Sequence, residues 1–559
     1  MWFNEAGEVV EMFKNSFPLS FLVFVPLLIL ISPVSPVGGA HDFPVYRMQQ
    51  FDLAGTPYGC RNALVNVEAR SVDSNMFTRR CMVARFQEVT MEKVREMLGQ
   101  NAAGLLVLLP QNLSSLSPED RQLLMTLEHD FLQEEVQMPV YFARETPELL
   151  DIYHSIKGSI SGDQAGSAAE ALLSTASANG FQLLVNGAQS KALNDYQITN
   201  IQGKLTGYGV EEQLPTVVMV AHYDSYGLAP SLSFGTDSNA SGVVALLELA
   251  RLFAKLYTNS RTHAKYNMLF LLSGAGKFNY HGTKRWIEDN LDSADTSLLV
   301  DASYVLCLDT LAQDNTLNLH VSKPPREGLP GHTFLQNLKD VVAQFFPEVA
   351  FNMQHKKINL ADDLLAWEHE RFSIRKLPAF TLSRLSSHRD LHKNSILDVR
   401  DQVDTKVLSR NIKIVAEALA RHVFNLSSQG SFEVFDEPLE VEEGLVSAWL
   451  DFLASRSRAA QVLYKDHPVI TTLEQGMARY LKDVRRSTVR ADKREPEFLF
   501  YSGHEYTMSA YNVKPAVFDL FLGLVIAAYL GVIYLAIQNF HLVFRAMRLV
   551  ASPVKTKVQ

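Results

Sequence analysis

The sequence predicts an α/β protein with a mostly parallel sheet, a smaller N-terminal α/β lobe, C-terminal helices and one transmembrane helix. Three observations lead to this fold class. Apolar β-branched runs alternate with segments of helical period over residues 161–430, which is typical of a parallel sheet covered on both faces. A second, shorter alternation precedes it. Near the C-terminus, a run of about 20 apolar residues has the length that spans a bilayer.

Composition limits the possible functions. The chain has 559 residues, 47% of them hydrophobic, which is too long for one core and indicates several domains. A net charge of −9 without a basic block in the body argues against nucleic-acid binding. The three cysteines lack metal-type spacing. Cys60 and Cys81 could pair in an oxidising compartment, whereas Cys307 is expected to be a small buried hydrophobe in a strand.

Residues 1–40 are interpreted as a signal peptide. An apolar run over 17–31 is followed by small residues ending at Ala40, which is typical of a cleavage site. Acidic residues outnumber Lys14 ahead of this run, so an uncleaved anchor is the alternative.

Residues 41–160 form the predicted N-terminal lobe. Strand-like runs at 105–109 and 140–142 flank a helix-like segment at 119–131, which together predict a βαβ unit. This unit is either a separate lobe or an extension of the main sheet. The Ser- and Gly-rich stretch at 155–166 predicts a linker.

The candidate site lies at strand ends of the main domain, residues 161–430. Four polar residues lie at the ends of predicted strands or at the start of the helix that follows a strand. They are His222, Asp237, Asp309 and His388. Since the carboxyl ends of parallel strands share one edge of a sheet, these side chains should lie close together. Two imidazoles and two carboxylates suit zinc, or a pair of zinc ions about 3.5 to 4 Å apart. Asp224 is placed to orient the His222 imidazole.

Other catalytic motifs do not occur. The sequence has no HExxH motif, nucleophile elbow or phosphate-binding glycine loop, and Glu368-His369-Glu370 has the wrong spacing for a zinc-binding helix.

The combined motifs resemble the zinc aminopeptidase fold of the M28-type peptidases. They are His222-Tyr223-Asp224, GTDSNASGVVALLELAR at 235–251, LDT at 308–310 and SHRD at 387–390, and this resemblance covers about residues 165–425. Over the whole chain, the sequence resembles the nicastrin-related family, which keeps this fold, without catalysis, in the endoplasmic reticulum membrane. Relatives of nicastrin carry an extra lobe ahead of the peptidase-like domain, which favours a separate lobe over residues 41–160.

One motif departs from the peptidase pattern. Active members of the peptidase family carry two adjacent glutamates at this point, a general base and a zinc ligand, where this chain has Gly276 and Lys277. Glycine cannot accept a proton. A lysine ammonium 4 Å from another unit charge interacts by about 4 kcal/mol at an effective dielectric of about 20, so it would oppose a metal ion. The resemblance therefore implies a vestigial site without catalysis or cofactor.

Lys277 is hypothesised to replace the metal and to hold Asp237 and Asp309 as a buried ion pair. Two alternatives remain open. His222, Asp237 and Asp309 could still hold one zinc ion without catalytic power, or Lys277 could extend to solvent.

The C-terminal part predicts membrane attachment. Residues 431–512 are expected to be a helical, membrane-proximal region, because apolar residues recur at helical spacing there. These helices either pack onto the main domain or dock a partner. Residues 517–538 are the predicted transmembrane helix, and the basic tail at 541–559 is then cytosolic by the positive-inside rule.

Three glycosylation sequons are consistent with a lumenal body. They are Asn112, Asn239 and Asn425. Asn425 is the best candidate for modification, followed by Asn112, because Asn239 lies in a tight turn and is expected to be too enclosed.

These observations predict a single-pass type I membrane protein with a lumenal, catalytically silent body, and the family resemblance implies that it resides in the endoplasmic reticulum membrane. The family resemblance further implies a complex with nodal modulator and a small polytopic membrane protein. It also implies association with the translocon and ribosome during insertion of multi-pass membrane proteins, and modulation of Nodal signalling. Two alternatives are an active M28-type zinc aminopeptidase with an unconventional base and a lumenal receptor for peptide termini.

Overall fold

The computed structural model describes residues 41–158, 180–291, 299 and 302–545, apart from residues 75, 363, 427–431, 493, 495, 514, 515 and 543. The predicted signal peptide, most of the predicted linker and most of the predicted cytosolic tail therefore lie outside the described residues.

The described elements are nineteen strands and eleven α-helices. In chain order the strands are β1 (His41–Arg47), β2 (Gln50–Leu53), β3 (Thr56–Cys60), β4 (Asn66–Ser71), β5 (Cys81–Arg85), β6 (Gly104–Leu109), β7 (Glu135–Val136), β8 (Val140–Arg144), β9 (Gly180–Val185), β10 (Gln197–Leu205), β11 (Thr216–His222), β12 (Asn267–Ser273), β13 (Ala302–Leu308), β14 (Thr316–Val321), β15 (Ala350–His355), β16 (Ala379–Ser383), β17 (Lys482–Arg490), β18 (Phe498–Phe500) and β19 (Glu505–Val513). The helices are α1 (Met91–Gly99), α2 (Pro118–Gln133), α3 (Pro147–Gly158), α4 (Gly242–Thr258), α5 (His281–Leu291), α6 (Pro330–Phe345), α7 (His369–Ile374), α8 (Thr405–Val423), α9 (Glu443–Ala454), α10 (Pro468–Ala478) and α11 (Ala516–Gln538).

The N-terminal lobe is built on a closed barrel of seven strands in the order β1-β19-β9-β4-β5-β6-β8. The predicted βαβ unit is present, because β6 and β8 pair in parallel and α2 connects them. Two strands of the barrel, β9 and β19, come from outside residues 41–160. They pair with each other, and β19 also pairs with β1, which closes the barrel. A smaller sheet, β18-β2-β3-β7, lies beside it.

The main sheet has eight strands in the order β15-β14-β16-β13-β11-β12-β10-β17. The four central strands, β12, β11, β13 and β16, are parallel, as predicted. The flanking strands make the sheet mixed, because β14 runs antiparallel to β16 and β10 runs antiparallel to β12 and β17. All residues of β11, β12 and β16 are buried, which explains their nearly continuous apolar sequences.

Helices cover both faces of the main sheet. Side chains of α4, α6 and α8 form the larger core on one face. On the other face, Trp286 of α5 and Phe372 of α7 pack against a cluster that includes Cys307, so this cysteine is the expected buried hydrophobe. Cys60 and Cys81 are both buried and free, so the possible pair between them is not formed.

The prediction of a helical region over 431–512 is corrected by the structure. Among the residues described there, only α9 and α10 are α-helical, and β17, β18 and β19 then return to three different sheets. The strand β17 was missed because its sequence is mostly charged, as suits an exposed sheet edge. Apolar residues of α9 and α10, including Leu450 and Met477, join the main core, so these helices pack within the molecule.

The last helix, α11, coincides with the predicted membrane span and exposes Leu520, Leu524 and Leu530. Within the part of the chain that the structure describes, no helix meets the length and hydropathy needed to cross a membrane. The span at 517–538 therefore remains a prediction.

The two lobes share one apolar core. Main-domain residues Leu228, Leu232 and Ile396 pack in the same cluster as side chains of the N-terminal lobe. Glu128 of α2 is buried at this contact and accepts hydrogen bonds from the backbone N–H groups of Leu228 (2.5 Å) and Ile396 (3.1 Å). Burial raises the pKa of the Glu128 carboxyl to about 7.

Glu128→Gln should remove a pH dependence from the stability of the lobe contact. Because the folded-state pKa of about 7 lies above the unfolded value of about 4.3, the stability contribution of Glu128 is complete below about pH 4 and is lost as pH rises through 7. The melting temperature of the variant relative to the unmodified protein should therefore rise between about pH 4 and pH 7 and level off above pH 7. Glu119→Gln, an exposed change on the same helix, is the control. A constant difference across this range would contradict the assignment.

Candidate functional site

The carboxyl ends of the parallel strands bring part of the predicted site together. His222 ends β11, Asp309 follows β13, and Lys277 lies in the turn after β12. The structure adds two residues, Glu368 and Lys393, that contact them. These five residues are called the strand-end cluster.

His222 is fully buried and is held by Glu368. Its Nδ1 lies 3.3 Å from Glu368 Oε2. The Glu368 carboxylate also accepts hydrogen bonds from the hydroxyls of Ser273 (2.7 Å) and Thr283 (2.6 Å). Among the described residues, His222 Nε2 has no hydrogen-bond partner. Glu368 was missed as a site residue because its only sequence signal was a motif with unsuitable spacing.

Asp309 is paired with Lys393. The Lys393 Nζ lies 3.4 Å from Asp309 Oδ2, and both side chains are almost fully buried. Lys393 also donates to Tyr280 Oη and to the Ala366 carbonyl, both at 3.1 Å, and it lies 4.0 Å from the Trp367 ring centroid. Burial alone would raise the pKa of Asp309, but the nearby charges, led by Lys393, hold it well below its usual range.

Lys277 enters the cluster but bonds to neutral partners. Its Nζ donates to Ser238 Oγ (2.6 Å), the Lys393 carbonyl (2.7 Å) and Asn394 Oδ1 (3.3 Å). Burial lowers the pKa of the Lys277 ammonium to about 8; Asp309 opposes this shift and Lys393 adds to it. The hypothesis that Lys277 holds both carboxylates is corrected, because Lys393 is the ammonium at ion-pair distance from Asp309.

Asp237 lies outside the strand-end cluster, contrary to the prediction. Its Oδ2 accepts from Arg384 Nε at 2.7 Å, and its Oδ1 accepts from the Ala312 N–H at 2.8 Å. The next residue, Ser238, contacts Lys277 instead. The turn over Thr236–Ser241 departs from helical geometry at Ser238 and Asn239. It therefore places Ser238, instead of the predicted Asp237, beside Lys277.

Asp398 fixes this turn. Its carboxylate accepts from the backbone N–H groups of Asp237 and Ser238, both at 2.7 Å. Burial raises the pKa of Asp398 to about 6, and the adjacent Asp237 charge adds to the shift. Sequence reasoning missed Asp398 because it lies on a loop that is 160 residues away from Ser238 along the chain.

Asp224 holds the turn that carries Gly276 and Lys277. Its carboxylate accepts from their backbone N–H groups at 2.7 Å and 3.0 Å, so the expected hydrogen bond to the His222 imidazole is replaced by these two contacts. The turn packs directly on His222. A Cβ added at Gly276 would lie 2.7 Å from His222 Cδ2 and closer still to Cβ and Cγ.

His388 lies on the loop after β16 and is half-buried. Burial and the nearby Lys356 lower its pKa to about 4. Within the described residues it forms no hydrogen bond or ion pair with the strand-end cluster.

The sequon asparagines differ in exposure. Asn112 and Asn425 are exposed. Asn239 is fully buried, and its amide donates to the carbonyls of His222 (3.0 Å) and Leu308 (2.9 Å).

The residues present do not fit the zinc site of an M28-type peptidase. The unpartnered His222 Nε2 is a suitable ligand atom, but Asp309 is paired with Lys393, and Asp237 uses both carboxylate oxygens elsewhere. Lys277 adds a second ammonium to the cluster. Within the described ranges, no group of three or more His, Cys, Asp or Glu residues is arranged to hold a metal ion.

Comparisons with known proteins agree with the fold. Residues 200–419 match the model of peptidase family M28. The BOS complex subunit ncln of Danio rerio is 53% identical, covering 99% of this chain and 99% of its own, and Nicalin of Caenorhabditis elegans is 28% identical, covering 94% and 96%. The crystal structure of the γ-secretase component nicastrin aligns with a TM-score of 0.58 at 10% identity, covering 84% of this chain and 99% of that chain.

Proposed function

Because the chain belongs to the nicalin family, we propose that it is a non-catalytic, peptidase-like subunit of a membrane complex of the BOS type. One observation carries this proposal: the carboxylate at the centre of the strand-end cluster, Asp309, is neutralised by the chain's own Lys393. A metal-dependent peptidase needs a metal that polarises the substrate carbonyl or activates water. A carboxylate already paired with an ammonium is a poor ligand for that metal.

The two residues in the turn after β12 point in the same direction. In that turn, Gly276 and Lys277 take the places that we assign to the two glutamates of active relatives. Neither residue can deprotonate a water molecule at neutral pH in the way a glutamate does. The fold then serves to present surfaces rather than to hydrolyse peptides.

We extend the proposal to the topology. Residues 1–40 act as a signal peptide, residues 517–538 span the endoplasmic reticulum membrane once, and the tail at 541–559 is cytosolic. The support is the apolar sequence of 517–538 and the basic residues that follow it. The exposed sequon residues Asn425 and Asn112 are then available for glycosylation in the lumen.

We propose the domain boundaries predicted from the sequence, with one revision. The lobe over 41–160 is completed by strands from residues 180–185 and 505–513, so we treat the C-terminal strands as part of the lumenal body. By the same revision, the aminopeptidase-like domain, predicted over 161–430, loses residues 180–185 to the barrel and gains β17 as an edge strand of its sheet.

The partners are proposed from the family resemblance. They are nodal modulator and a small polytopic membrane protein, in a complex associated with the translocon and ribosome during insertion of multi-pass membrane proteins. Modulation of Nodal signalling would follow from the same complex. The support for a complex is the name of the zebrafish relative, which describes it as a complex subunit.

Copurification combined with a peptidase assay tests this proposal. The full chain, tagged and gently solubilised from membranes, should retain other membrane proteins in the presence of a chelator and should not cleave aminoacyl substrates. The alternative, an active zinc aminopeptidase, predicts hydrolysis that the chelator abolishes and that Asp309→Asn removes. Chelator-sensitive hydrolysis without stable partners would overturn the proposal.

A further inference from the structure

A large groove lies at the amino ends of the central parallel strands, at the opposite end of the sheet from the strand-end cluster. It has a volume of about 850 Å³ and is bordered by the amino ends of β13 and β16, the carboxyl end of β14 and the start of α6. From Ala302 at the groove to Leu308 beside the cluster, β13 extends about 20 Å. The groove is therefore separate from the position of a peptidase site in this fold, which is at the carboxyl ends of the parallel strands.

The described charged residues that line the groove have one sign. No described residue that lines it is acidic, and four are cationic: Lys323, Arg326, Lys357 and Lys376. All four are exposed, and none is paired with a carboxylate among the described residues. This is notable because the whole chain carries a net charge of −9, so a purely cationic groove departs from the average surface. Such a local field attracts anionic groups.

Apart from three serines, the surface between these cations is apolar. Leu329 is half exposed at the groove, and Pro325, Leu377 and Phe380 also line it. Apolar surface of this kind is commonly used for binding when polar groups surround it.

We propose that this groove binds an acidic polypeptide segment that carries apolar side chains between its carboxylates. The carboxylates would pair with the four cations, and an apolar side chain would cover Leu329 and the half-buried Leu377. A concave groove with an apolar floor suits an extended chain better than a flat bilayer surface, so a peptide is favoured over an anionic membrane. This inference deepens the proposed scaffold function and rests on it, because it identifies one surface by which the subunit holds a partner.

The test uses the purified full chain in detergent and a short, fluorescent, glutamate-rich peptide containing leucine and phenylalanine. The double variant Lys323→Glu/Lys357→Glu should bind this peptide about tenfold more weakly, since each reversal replaces an attraction by a repulsion. Leu329→Ser should weaken binding by about threefold, because it removes apolar contact area. Binding to the unmodified protein should decrease as salt concentration rises.

The matched control is Lys255→Glu/Lys339→Glu, which changes the net charge equally at two exposed lysines outside the groove. It should bind like the unmodified protein, and a peptide with glutamine for glutamate should bind at least tenfold more weakly. Equal loss in both double variants, no binding of the acidic peptide, or binding only to phosphatidylserine vesicles would overturn the proposal. These outcomes are distinct from failure of the scaffold function, which would appear as chelator-sensitive hydrolysis.

Discussion

Gly276→Glu is expected to unfold the main domain at a temperature lower by roughly 10 °C, instead of restoring a catalytic base. A Cβ at this position would lie 2.7 Å or less from three atoms of the His222 side chain, which is itself fully buried at the end of β11. The strand end or the turn must move to accept it. The new carboxylate would also lie beside Asp224, whose oxygens accept the backbone N–H groups of this turn. Overpacking and an unpaired buried charge together should cost about 4 kcal/mol.

Gly444→Glu is the matched control for this substitution. Gly444 lies on α9, and a Cβ added there has no atom within 4 Å. The control should melt close to the unmodified protein. If Gly276→Glu melts normally and the variant with Lys277→Glu added cleaves aminoacyl substrates, the described geometry of this turn is wrong.

Lys393→Met should destabilise the main domain by about 3 to 5 kcal/mol, because it leaves the buried Asp309 carboxylate without its cation. The low folded-state pKa of Asp309 means that its contribution is present above the unfolded pKa of about 3.9 and is lost as pH falls. In the variant this contribution should disappear, so the melting temperature should depend less on pH in the acidic range.

A double-mutant cycle isolates the pair. Lys393→Met/Asp309→Asn removes both charges and should recover most of the lost stability, giving a coupling of at least about 2 kcal/mol. Lys255→Met, an exposed change, should have little effect. If the two single changes are simply additive, Asp309 and Lys393 do not form a coupled ion pair.

The sequence identified the elements that position the site. Buried apolar strands ending in His222 or leading to Asp309 gave a clear local signal, and both residues lie where the strand ends meet. The βαβ unit of the first lobe was predicted for the same reason, since α2 and its flanking strands follow regular hydrophobic patterns.

The rest of the site could not be found in this way. Lys393, Asp398 and Glu368 reach it from loops or helix starts far along the chain, and nothing in their local sequence marks them as buried. The choice between Asp237 and Ser238 depends on backbone geometry in one irregular turn. The C-terminal strands were missed because β17 is mostly charged and β19 pairs with β1, about 460 residues earlier.

The zinc content of the purified full chain tests most directly whether lysine side chains occupy the place of the metal. Elemental analysis of protein prepared without chelators, in buffer containing zinc, should find well below one zinc ion per chain. One or two zinc ions per chain, lost on Asp309→Asn while the protein stays folded, would contradict this replacement of the metal by lysine.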